Sequence, residues 1–126
     1  MNTLFLVYLI VEAIFGIGFL FVPELVMAPM GVTLDETSTT MARMFGSLLI
    51  SIPVLVFFAR KSSSTEFKRG VMYCVFIYLL ASTIILLITQ INGLMNSMGW
   101  SIVILHLVFM LLFGYYLLMP GKRDSV

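Results

Sequence analysis

Glu12, Arg43, Ser47, Gln90, Asn96 and His106 are polar side chains standing inside, or at the ends of, long apolar stretches. Glu12 lies about 15 Å by helical rise from Val22, the end of its stretch. An ionised acid at mid-membrane costs roughly 3 kcal/mol on insertion scales. Glu12 is therefore expected to face a protein interior, either as a proton or ligand site or as a neutral, hydrogen-bonded core acid. Tyr8, Gly16 and Phe19 share its helical face. Arg43 heads a polar stripe with Ala42, Gly46, Ser47 and Ser51. An intramembrane cation needs a partner, a wet cavity, or a route for its long side chain to the headgroups. His106 is the lone histidine. As a haem ligand it would need a second axial residue or a pentacoordinate pocket, and its ordinary role is a structural hydrogen bond. Gln90 and Asn96 supply amides beside the same region. The expectation is that these six residues converge on one polar cavity in the outer half of a helical bundle. That cavity would open outward or be capped by the Pro23–Thr40 connection.

The elements that must position them follow from composition. Of 126 residues, 61% are hydrophobic and 10% charged, with mean hydropathy +1.13. A soluble domain carries about a quarter charged residues. The apolar residues fall in four blocks, roughly Thr3 to Val22, Met41 to Ala59, Val71 to Ile91 and Trp100 to Met119. Each is about the 20 residues a helix needs to span hydrocarbon. The expected fold is all-α: a four-transmembrane-helix bundle forming a single membrane domain over residues 1–126. The first block has no basic leader and carries Glu12, so it reads as a retained span and not a cleaved signal.

Connections carry the topology. Pro23 to Gly31 predicts a short interfacial helix, with proline at its start and glycine at its stop. Thr33-Leu-Asp-Glu36 offers a capping box for the second long helix. The Phe58–Gly70 stretch holds Arg60, Lys61, Lys68 and Arg69, and the C-terminal tail adds Lys122 and Arg123. The two opposite connections hold neither lysine nor arginine. The positive-inside rule then puts both termini and the basic loop in the cytoplasm. Topology accounts for that loop, although it could also attract anionic lipid. Trp100 suits an interfacial anchor. With net charge +1 there is no nucleic-acid footprint.

Other features carry less. Cys74, the lone cysteine, reads as a small buried apolar side chain. The ten methionines are scattered and read as core filling, although Met27 with Met30, and Met95 with Met98, pair at helical spacing. Met27 to Gly31 and Met95 to Gly99 share Met, Met and Gly at equal offsets. A duplicated hairpin would do this, but three matches are few and coincidence does it too. Serine-hydrolase, P-loop, Rossmann and zinc-protease motifs are absent from the sequence. The reading leans away from an enzyme and names no cofactor or metal.

Three short motifs span the chain: Gly16 or Gly18 before Pro23-Glu24, the Ala42-Arg43 and Gly46-Ser47 pairs, and the Asn92–Trp100 turn with its Asn, Gly and Trp. In these the chain resembles a widespread group of small, uncharacterised bacterial four-helix membrane proteins. The resemblance implies a four-helix fold and a bacterial-type inner membrane, and no activity. Two functions of different class remain. One is binding of a lipid, a quinone-like ligand or a partner helix in the polar cavity. The other is a small homo-oligomeric ion- or proton-coupled transporter that uses Glu12.

Overall fold

The computed structural model describes residues 2–118. Five α-helices account for most of them: α1 (Asn2–Phe21), α2 (Pro23–Met27), α3 (Glu36–Lys61), α4 (Thr65–Ile91) and α5 (Gly99–Leu118). A single 3-10 turn, Ala28–Met30, follows α2. Among the described residues there is no strand. Helices α1, α3, α4 and α5 are each long and apolar enough to cross a membrane. Met119 and the basic tail residues Lys122 and Arg123 lie outside the described residues.

The short segment after α1 forms where its punctuation places it. Pro23 opens α2 at a position whose N–H would lack a helical partner anyway. Gly31 ends the 3-10 turn at φ 76°, a left-handed conformation that a side chain would oppose. The cap of α3 differs from the Thr33–Glu36 expectation. Asp35 is the N-cap: its Oδ1 accepts the Ser38 N–H at 2.7 Å, while the Asp35 N–H donates to Ser38 Oγ at 2.8 Å. Serine at the third helical position does what glutamate does in the usual box, because its hydroxyl reaches the same N–H.

The four long helices pack as two antiparallel hairpins, α1 with α3 and α4 with α5. The first pair meets backbone to backbone at Gly16 and Gly46. A Cβ on Gly46 would lie 2.5 Å from the Leu20 backbone nitrogen, and one on Gly16 would lie 3.0 Å from that of Ile50. Neither neighbour is a side chain free to move, so only glycine permits this approach. Small residues at such crossings are how helices associate where apolar burial alone gives no drive.

The two ends of the gap between hairpins are filled differently. Toward the basic loop, Phe5 and Tyr8 of α1 reach Phe109 and Phe113 of α5. Phe5 stacks on Phe113 at 5.9 Å, and Tyr8 meets Phe113 and Phe109 edge-on at 5.0 and 5.2 Å. Val56, Ala59, Val71, Met72, Val75 and Leu79 complete this buried core. Cys74 lies on the exposed face of α4, not in the core. It stands one residue before Val75, which takes the inward position, so helical rotation turns the thiol outward.

At the other end the two connections are clasped together. Asn96 donates from its backbone N–H to the Met30 carbonyl at 2.8 Å and from Nδ2 to the Pro29 carbonyl at 2.9 Å. Gln90 Nε2 donates to the Asn96 carbonyl at 3.1 Å. Between this clasp and the aromatic core the gap stays open.

Candidate functional site

That opening is a cavity of about 240 Å³. All four long helices contribute to its wall, and Met27, Met30 and Met95 reach it from the clasped connections. Four side chains on the wall can hydrogen-bond through side-chain atoms: Glu12 of α1, Tyr78 and Ser82 of α4, and His106 of α5. The rest of the lining is apolar, so the polar cavity expected from sequence is an apolar one with a few polar points.

Glu12 is 6% exposed. The Tyr8 hydroxyl, one turn away, and Tyr78 are its electrostatic neighbours. The Tyr8 hydroxyl lies outside hydrogen-bonding geometry and has no other partner among the described residues. Ser82 turns its hydroxyl back to the Tyr78 carbonyl at 2.7 Å, as serines inside helices do when no better acceptor is near. His106 Nδ1 is 3.0 Å from the Ile102 carbonyl. A carbonyl only accepts, so Nδ1 carries the proton in that bond, and in the neutral ring Nε2 is left as an acceptor. The His106 and Tyr78 rings lie 6.3 Å apart, inclined at 56°. This pair ties α5 to α4 on the cavity wall.

The six residues singled out from sequence do not share this wall. Glu12 and His106 stand on it. Arg43 and Ser47 do not; both are exposed. The reason is rotational. Phe45 is the residue of α3 that faces the cavity together with Leu49. Arg43 and Ser47 stand two residues either side of Phe45, about 200° around the helix. The inward face of α3 runs through Gly46, Leu49, Pro53, Val56 and Ala59, and the Arg43–Ser47–Ser51 stripe follows the other flank. Ser47 and Ser51 satisfy their hydroxyls on the carbonyls of Met44 and Leu48, at 2.7 and 2.6 Å. Gln90 is buried and Asn96 exposed, and both are spent in the clasp that closes the end of the bundle.

Tyr78 and Ser82 belong to the wall and were not among the six. Their signal was present: two polar residues at i and i+4 on an apolar helix, on one face. Their direction relative to Glu12 depended on how α4 is rotated, which spacing alone does not specify. The aromatic part of the wall carried no signal that separates lining from core.

No metal cluster of three or more His, Cys, Asp or Glu forms among the described residues. No curated protein and no solved structure matches the chain. A family model does match, over residues 6–122. The chain therefore belongs to the family described as a domain of unknown function, DUF8292.

Proposed function

We propose that this is a four-span integral membrane protein of the bacterial inner-membrane type. It holds a small, largely apolar guest, or the apolar part of a lipid or quinone-like amphiphile, in the cavity between its two hairpins. The observation that carries the reading is a buried carboxyl, Glu12, on the wall of an otherwise apolar space of about 240 Å³. A group that is costly to bury and has no basic partner among the described residues is kept where a ligand can meet it. The volume sets the guest's size. It lies just below the range of about 300–1,000 Å³ for drug-sized ligands, so one ring or a short acyl segment fits. Glu12 and His106 are the binding residues, joined by Tyr78 and Ser82. Arg43 extends from an exposed flank toward headgroups.

The basic Arg60–Arg69 loop and both termini face the cytoplasm, and the clasped end faces outward. A cysteine placed at Ser63 then labels only from the cytoplasm, and one at Ser97 only from outside. Labelling of position 63 in intact cells by an impermeant reagent refutes this orientation.

The cavity is tested by filling it. Ser82→Phe puts a ring into the space, so a guest that co-purifies with the wild type, weighed by native mass spectrometry, should be lost while the fold is kept. Equal retention by both proteins, or no guest in either, counts against the reading. Glu12 on the cavity wall also favours a second reading, an oligomeric proton-coupled transporter. Four spans leave little room for alternating access, which favours simple binding. Proton-linked flux in vesicles that Glu12→Gln abolishes would reverse that preference.

A further inference from the structure

We infer that the guest's chemical class is a small organic cation: one aromatic or alkyl body carrying a substituted ammonium. This deepens the binding reading above and rests on it. Among the described residues no lysine or arginine lines the cavity, and the cationic stripe residue Arg43 is turned to the exposed flank. Among the described residues, Glu12 is the one carboxyl on the wall. An anionic headgroup would meet a carboxyl with no compensating base. A cation would meet a counter-charge that otherwise has none.

The remaining wall points the same way. Phe15, Phe19, Phe45, Tyr78 and Phe109 surround the space that Glu12 enters. They come from all four long helices, and His106 of α5 adds a sixth ring. Phe19 and Phe45 meet edge to face at 5.5 Å, bridging α1 and α3. Tyr8 meets Phe109 edge-on at the floor. Aromatic faces carry negative quadrupole density and attract a desolvated cation within about 6 Å of the ring centroid, most strongly when several rings surround it. An ammonium with its charge buried under alkyl groups loses little hydration on entry, so these rings and one carboxylate suffice to hold it. Size agrees. An engineered cavity of about 150 Å³ takes benzene, so about 240 Å³ admits one ring and a compact head.

The test uses the full-length protein in nanodiscs of zwitterionic lipid. Two probes are compared: benzyltrimethylammonium, and neopentylbenzene, its neutral isostere with carbon in place of nitrogen. Binding is read by equilibrium dialysis and by the rise in unfolding temperature. Benzyltrimethylammonium should bind at least tenfold more tightly than neopentylbenzene. Glu12→Gln should weaken the cation at least tenfold and leave the neutral probe within a factor of two. Phe45→Leu, which keeps the charge and removes a ring, should weaken the cation several-fold. It decides the question should the Glu12 variant fail to fold. Equal affinity for the two probes, preference for the neutral one, or indifference to both substitutions overturns the cation assignment and leaves the cavity reading standing. Binding of neither probe overturns both.

Discussion

The two halves of the gap between hairpins are built from the same four helices and come out opposite in character. In the half toward the basic loop, Phe5, Tyr8, Phe109 and Phe113 interlock and the space is full. In the half toward the clasp, α1 and α3 are held together by Gly16 and Gly46, and the rings on the facing surfaces line a void without crossing it. Close approach within one hairpin does not bring the two hairpins together. Bulky rings reaching across do that, and where they stop, a cavity begins. The buried acid sits at that border: Tyr8, one turn from Glu12, belongs to the packed half, and Glu12 to the open one.

The largest effect is expected on the packed side. Phe113 is fully buried and touches two rings of α1. Phe113→Ala should cost roughly 3 kcal/mol, the usual penalty for a large cavity left in a packed site. It should appear as a clear drop in denaturant midpoint in detergent. An effect below about 1 kcal/mol would mean that the hairpins do not depend on this contact. The clasp gives a smaller effect. Asn96→Ala removes the side-chain bond to the Pro29 carbonyl and the one accepted from the Met98 N–H, but keeps the backbone bond to Met30. About 1 kcal/mol of loss is expected. Faster amide exchange at residues 27–31 and 94–98, with α1 unchanged, would show that the clasp alone has loosened.

The smallest effect lies outside the bundle and depends on pH. The Ser38 side chain and backbone N–H hold the Asp35 carboxyl below its ordinary value of 3.8. The folded value is depressed, so this cap contributes stability above the unfolded value and loses it as pH falls through the folded one. The first turn of α3 should therefore fray below about pH 4. Asp35→Asn, which cannot titrate but still caps, should remove that dependence. Persistence of the same acid transition in the variant assigns it elsewhere.

Much of the architecture was legible in the chain because its causes are local. Four apolar runs of helical length, a proline and a glycine bracketing a short helix, and an acid too costly to face lipid need no knowledge of neighbours. Glu12 is accordingly buried, and α2 starts at Pro23. The site was legible only in part. Arg43 drew attention by its charge, yet its direction follows from which flank of α3 meets α1, and Gly46 decides that through a contact with residues more than twenty positions away.

Hydropathy, proline chemistry and the cost of a charge act within one segment, so the chain alone carries the four apolar helices, the short α2 segment and the need to bury Glu12, whereas α3 and α4 run on past their apolar runs to 26 and 27 residues. The helix rotations are set by packing between segments. Those rotations turn Arg43 and Ser47 out, bring Tyr78, Ser82 and His106 to the space beside Glu12, and spend Gln90 and Asn96 on a clasp. A helix with apolar residues on every side buries any face at nearly equal cost. Backbone approach at two glycines and the reach of a few aromatic rings choose among those faces.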